Sequence, residues 1–459
     1  MLGHTRTSTL AAGAALTLLG VCCVAALTSQ ASAWQSSALA HQPAPLVRAA
    51  AGPPAPMASP DAPLTAAALS DALWVRLGAT NGPLDTALTA TASRAQAFGG
   101  DLLARLEAEE PGANVFISPL SIAAALGMAA AGTEPASPVA SAFAATLRFD
   151  AARGGGPAAL HALSANASEL RMANSLWARA AILPSFADLV AKEFDASAAP
   201  MPRTAAPVNA WVAEATGGKI KHIIGDGVVS DPLTLALLVN AVFFKAAWEK
   251  PFDPARTVAD TPFRGADGGE LRCRMMAAKP QQLLFARTPA GVAVALPYVG
   301  GRFRAVLALP AEPGAAPLRA LLTEKGSLGE LRAALGMKQV ALQLPRFRME
   351  YGVKSLREPL RAMGLGPAFD AAGVPAFPLM THDADAHLSD VLHKALLEVT
   401  EEGTVAAAAT VAIMATRGMM IAPPPERVVF DRPFAIAIED AEHGAPLFVG
   451  LVAAPQFEG

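Results

Sequence analysis

The chain has 459 residues, of which 53% are hydrophobic and 16% charged. That composition permits a large buried core and excludes wholesale disorder, because enough apolar surface is present to offset the loss of chain entropy. A formal charge of -3 leaves no electrostatic footprint for nucleic acid, and no zinc-finger, RRM or phosphate-loop pattern occurs.

Leu10 to Thr28 carries no charge, follows Arg6 and leads to Ala31-Ser32-Ala33, the layout of a secretory leader with a small-x-small cleavage site. Residues 1–33 are therefore expected to be a signal peptide and the protein to be secreted and extracellular. The run at 10–28 is also long enough to anchor the chain in a membrane, and a leader to an organelle lumen fits as well. Residues 34–88 are rich in Ala, Pro and Ser. Prolines at that density remove donors and block helices, so a disordered linker is expected, with a short N-terminal extension that includes a brief helix at Leu69–Leu77.

Residues 89–459 read as one globular domain. Ser93–Glu110 has the spacing of an amphipathic helix, and Pro119–Met128 that of a second, with Ser118 as N-cap and Pro119 at the first helical position. Further helices are predicted at Ser185–Phe194 and Pro207–Thr216. Strand-like runs bounded by Gly and Pro follow at Leu233–Trp248, Val292–Val299, Phe303–Pro310, Lys338–Tyr351, Phe434–Asp440 and Pro446–Pro455. Helices first and strands later in one unbroken domain indicate an α+β fold. Cys22 and Cys23 lie in the N-terminal apolar run, which leaves Cys273 without a disulfide partner in the domain, as a buried and unreactive thiol.

Between the run HKALLEV and an Arg-containing loop lies EEGTVAAAAT, Glu401–Thr410. A charged pair, one glycine, one threonine and four alanines make a poor helix start. They suit a segment that slides into a β-sheet, where small side chains avoid clashes and main-chain hydrogen bonds supply the adhesion. This stretch resembles the reactive-loop hinge of the serpins. The resemblance runs from about residue 93 to 455, through NVFISPLSIAAALGMAAAGT (114–133), VNAWVAEATGGKIKHII (208–224), LLVNAVFFKAAWEKPFD (237–253), LPRFRMEY, SDVLHKALLEVTEEGT and FDRPFAIAIEDAEHGAPLFVGLVAAP (430–455).

The resemblance implies helices around a large central mixed β-sheet plus smaller sheets, with an exposed reactive-centre loop. It implies a metastable, irreversible suicide-substrate inhibitor of serine proteases, with no catalytic residues, cofactor or metal of its own, acting as a monomer on one covalently bound protease. Ser118, Ser121, Asn240 and His393 fall where the family keeps a polar cluster beneath the point at which the sheet opens. Trp248 matches the top of the sheet, and Arg346 the basic partner of Glu401, a pair expected to hold the hinge out of the sheet. The hinge itself is Glu401, Gly403, Thr404, Ala406, Ala407, Ala408, Ala409 and Thr410. In an inserted strand Thr404, Ala406, Ala408, Thr410 and Ala412 would share the buried face. Val405 departs from the acidic residue usual in the family, on the outward face.

The resemblance implies a scissile bond about sixteen residues after Glu401, at Arg417–Gly418, and an arginine there suits the trypsin-like class. A shift of one residue would make Thr416 or Gly418 decisive, and a larger one Met414 or Met419, with elastase-like or chymotrypsin-like targets. A non-inhibitory chaperone, carrier or substrate of the same fold is the alternative, as is an inhibitor of cysteine proteases. Residues 151–170 hold only Arg153 as a basic residue, so activation by heparin is not expected. Asn166-Ala-Ser168 is a glycosylation acceptor by pattern. The group His382, Asp383, Asp385 and His387 lacks a recognised metal-ligand spacing and reads as a solvated turn.

Overall fold

Helix α1 (Leu84–Glu109) begins earlier than its expected start at Ser93, and buries Phe98, Leu102, Leu103 and Leu106 along one stripe. The structure is a computed structural model that describes residues 84–148, 163, 169–323, 327–370, 375–404 and 423–454. The leader, the linker as far as residue 83, Arg153, Asn166, the hinge residues Ala406, Ala407, Ala408, Ala409 and Thr410, and the bond Arg417–Gly418 lie outside the described residues.

Helix α2 (Pro119–Ala130) is buried along its whole length, as its apolar residues on every side require. Ser118 starts it as read from the sequence: its backbone is extended and its Oγ accepts the Ser121 N–H at 3.3 Å. Helices α3 (Pro138–Thr146), α4 (Pro184–Phe194) and α5 (Ala206–Ala215) follow. Three strands lie among these helices, β1 (Val115–Ile117), β2 (Leu170–Ala178) and β3 (Ser197–Pro200), so strands do not simply come last.

Among the described residues the strands form two sheets. The larger has ten strands and includes β1, β6 (Val258–Arg264), β7 (Glu270–Ala277), β8 (Gln281–Thr288), β9 (Gly291–Pro297) and β10 (Phe303–Pro310). It is completed by β11 (Gly336–Pro345), β15 (Glu426–Val429), β16 (Phe434–Asp440) and β17 (Pro446–Val452). The run Lys338–Tyr351 serves both sheets. It breaks at Arg346, whose N–H donates to the Arg274 carbonyl, and continues as β12 (Phe347–Ser355) in the second sheet.

That second sheet is mixed and has seven strands, in the order β3 (Ser197–Pro200), β2, β4 (Ala236–Phe244), β13 (Asp390–Val399), β14 (Gly403–Thr404) and β5 (Ala246–Ala247), with β12 beside β13. Its central pair, β4 and β13, is parallel from Leu237 opposite Asp390 to Phe243 opposite Leu396. Every residue of β4 is buried because both faces are covered. Leu238, Val242 and Phe244 pack with Val391, Ala395 and Leu397 in the core that contains α2, whereas Leu237, Val239, Ala241 and Leu392 pack with Val208 and Val212 of α5. Double coverage removes the alternation that marks a half-exposed strand, and the sequence accordingly shows one long apolar run.

Candidate strand-insertion site

Midway along the central pair, the packing of β4 and β13 over the start of α2 assembles Ser118, Ser121, Asn240 and His393, all fully buried. His393 and Asn240 are opposite one another in the parallel register. The His393 Nδ1–H donates to Asn240 Oδ1 at 2.5 Å, and Nε2 accepts the Ser118 N–H at 3.3 Å. These two partners define a neutral ring, and burial pushes the imidazole down to about 3. Asn240 Nδ2 donates to Ser121 Oγ and to Asn174 Oδ1, both at 2.5 Å. Asn174, on β2, is a member of the cluster that sequence reasoning missed, because its strand was not recognised. The cluster holds no charged group, and its hydrogen bonds can change partners if β4 and β13 separate.

At the end of the pair stands β14. Gly403 is opposite Ala247 and Thr404 opposite Ala246 on one side, and Thr404 is opposite Val399 on the other. Gly403 can be nothing larger here. A Cβ on it would meet the Ala246 carbonyl oxygen at 2.2 Å and the Ala247 Cα at 2.6 Å, with φ at +156°. Thr404 is fully buried, and its Oγ1 hydrogen-bonds the Tyr298 hydroxyl at 2.7 Å. Burial raises the Tyr298 phenol well above its ordinary range, so it is present as the neutral donor–acceptor group that this bond needs.

Trp248 supports the same corner. Its ring stacks on Tyr298 with centroids 4.5 Å apart, its Nε1 donates to the Thr400 carbonyl at 3.0 Å, and its N–H donates to the Glu402 carbonyl at 2.9 Å. Glu401 is buried and accepts from Thr257 Oγ1 at 2.9 Å, while Arg346 Nη1 lies 3.8 Å from its other oxygen, an ion pair without a hydrogen bond. The sequence reading has Arg346 and Glu401 hold the hinge clear of the sheet. The pair exists, and Gly403 and Thr404 lie inside the sheet as β14, while the rest of the expected hinge lies outside the described residues.

Tyr298 and Thr257 were missed by sequence reasoning; the one available signal was that Tyr298 is one of only two tyrosines, set at the end of an apolar strand. Elsewhere, Asp383, Asp385 and His387 form a surface turn in which Asp383 Oδ1 accepts the Asp385 N–H and His387 Nδ1 meets the Asp385 carbonyl. Cys273 is buried and unpaired, and burial pushes its thiol up to about 11.

The site is thus a mixed sheet whose central parallel pair holds β14 at one end and a neutral polar cluster midway along it. Comparison with known proteins gives the class its name. The chain belongs to the serpin family: the family model for Serpin (serine protease inhibitor) matches residues 93–455. Leukocyte elastase inhibitor of Bos taurus is 32% identical over 384 residues, which cover 78% of this chain and 97% of that protein. Serpin B6 of Macaca fascicularis is 33% identical over 368 residues, covering 74% and 93%. Among solved structures, native protease nexin-1 with heparin superposes with a TM-score of 0.68 at 25% identity, covering 80% of this chain and 99% of that one. Human thyroxine-binding globulin, at 24% identity and a TM-score of 0.70, shares the fold.

These relatives correct the expected location. The matches to leukocyte elastase inhibitor and Serpin B6 do not support secretion of this chain.

Proposed function

We propose that this serpin is a suicide-substrate inhibitor of trypsin-like serine proteases, acting as a monomer through the bond Arg417–Gly418. The protease serine attacks the Arg417 carbonyl, the Gly418 amine leaves with a proton, and an acyl ester joins the two proteins. The freed loop then enters the seven-stranded sheet between β4 and β13 behind Thr404. Each new ladder hydrogen bond adds about 0.5–1.5 kcal/mol and apolar burial adds more, so a strand of this length gains on the order of 10 kcal/mol. Dragging the tethered protease distorts its oxyanion hole, where one lost donor slows hydrolysis by about 10²–10³. The ester is not hydrolysed.

The observation that carries this reading is β14, paired on both sides at the head of the central strand pair. Only small residues follow it, from Val405 to Thr410, and none blocks entry. Incubation with trypsin followed by a denaturing gel tests it. A boiling-resistant adduct with a released fragment starting at Gly418 is expected; clean cleavage without adduct would make the chain a substrate. The similarity to leukocyte elastase inhibitor favours a second reading of specificity, in which Met414 or Met419 supplies the scissile bond to an elastase-like protease. The start of the released fragment separates the two.

A further inference from the structure

Strands β8 and β9 leave their hairpin turn as partners and then separate. They pair from Thr288 opposite Gly291 as far as Leu284 opposite Ala295. Past that point β8 runs on to Gln281 beside β11, and β9 runs on to Pro297 beside β10. Each strand keeps its other neighbour while the two draw apart, so a tapering cleft opens in the ten-stranded sheet. Its wide end lies at Pro297, whose carbonyl accepts the Glu249 N–H, and Lys250 stands beside it.

The cleft is a cavity of about 230 Å³. Leu284 and Ala295 form its vertex, Leu283 and Leu296 line it, and Met337, exposed on β11 opposite Leu284, lies at its edge. A space below the drug-sized range holds a ligand of on the order of ten non-hydrogen atoms. The polar end is Arg304, which is opposite Pro297 and so lies two residues nearer the mouth than the vertex. Arg304 Nε donates to Glu439 Oε1 at 2.9 Å, and Nη2 lies 2.8 Å from the same oxygen. Arg332 Nη2 lies 2.8 Å from the other Glu439 oxygen. Two guanidinium groups thus share one fully buried carboxylate, and one positive charge is left over. The Nε–Nη2 edge of Arg304 is committed to Glu439, which leaves its Nη1 donors for the cavity that the side chain lines. Glu249 and Lys250 are both exposed and offset one another.

We propose that this cleft binds a straight-chain carboxylate of the fatty-acid type, about eight carbons long, with its methyl end at Leu284 and Ala295 and its carboxylate on Arg304. The taper suits an unbranched chain, which buries its methylenes between Leu283 and Leu296. The charged end stays beside a partly buried guanidinium, where salt screens the attraction less than at an open surface. The inference does not rest on the proposed protease inhibition.

Isothermal titration calorimetry of the full chain with octanoate, and with neutral octanamide as the charge control, tests it. Octanoate should bind at one site with Kd about 100 µM or tighter, and octanamide about tenfold more weakly. Arg304→Gln should weaken octanoate about tenfold and leave octanamide within about twofold, a pattern that loss of folding does not produce. Gln282→Trp places an indole in the wide end from an exposed position, and should abolish binding of both while the ligand-free melting midpoint stays within about 2 °C of wild type. Saturating octanoate should raise the melting midpoint of wild type and leave that of Gln282→Trp unchanged. Equal affinity for octanoate and octanamide, or octanoate binding unaffected by Gln282→Trp, would overturn the assignment, as would the absence of binding to wild type.

Discussion

Lowering the pH from about 7.5 to about 5 should cost this fold about 2 kcal/mol through one side chain, His393. The ring is fully buried, its Nδ1–H is committed to Asn240, and its Nε2 faces the Ser118 N–H, which is a donor. A second proton would set donor against donor and place a charge in a cluster with no carboxylate. Burial therefore lowers the group from 6.5 to about 3. Between those values the unfolded chain binds a proton that the folded chain refuses. Stability from this group is thus fully present above about pH 6.5 and falls as the pH drops towards 3. Each pH unit below 6.5 removes about 1.4 kcal/mol, which gives the figure of about 2 at pH 5. Urea unfolding at the two pH values, for wild type and His393→Gln, isolates the contribution, because other groups titrate alike in both. Wild type should lose about 2 kcal/mol more than the variant across the interval. Equal losses would show that His393 is not held neutral by burial and would refute the reasoning.

Gly403→Ala should unseat β14, since the added Cβ meets immovable backbone at 2.2 Å. Losing the Thr404–Tyr298 bond and the Thr400 N–H to Gly403 carbonyl bond lowers stability by about 2–3 kcal/mol, measurable by thermal denaturation and by new proteolytic nicking near residue 403. On the proposed inhibitory reading, Ala408→Arg should convert inhibition into clean cleavage on a denaturing gel, because a strand continuing β14 would bring the position beside buried Ala395 and Val242, where an arginine is an unpaired buried charge. Cys273 should resist alkylation at neutral pH until the protein is denatured, as peptide mass mapping would show, because the thiol is buried and raised to about 11.

The segment Glu401–Thr410 was legible as unusual over a short window, since Gly403 and the alanines after Val405 suit neither an ordinary helix nor an ordinary loop, and the structure describes it as far as Thr404, in β14. The cap Ser118-Pro119 was legible for the same local reason. Asn240 and His393 were found through resemblance, and the parallel register then set them side by side. Tyr298, Thr257 and Asn174 were not found. Tyr298 lies 106 residues from Thr404, Thr257 lies 144 from Glu401, and Asn174 lies 66 from Asn240. Nothing in the local pattern of a strand end or a turn records such a partner. The apolar run Lys338–Tyr351 misled in the opposite way, since its alternation is continuous while the chain changes sheets at Arg346.

The sequence by itself determined the capped start of α2 at Ser118-Pro119, the extended runs of β4, β9, β10, β16 and β17, and that the segment after Glu401 is free of bulk, because each of these depends on steric and periodic preferences acting over a few neighbouring residues. Only the tertiary structure decided that Gly403 and Thr404 are seated in the sheet, that Tyr298 holds Thr404, and that His393 and Asn240 stand side by side beneath neutral, buried partners. Those outcomes depend on which strands lie side by side and on what burial denies to water, and both are properties of the assembled sheet.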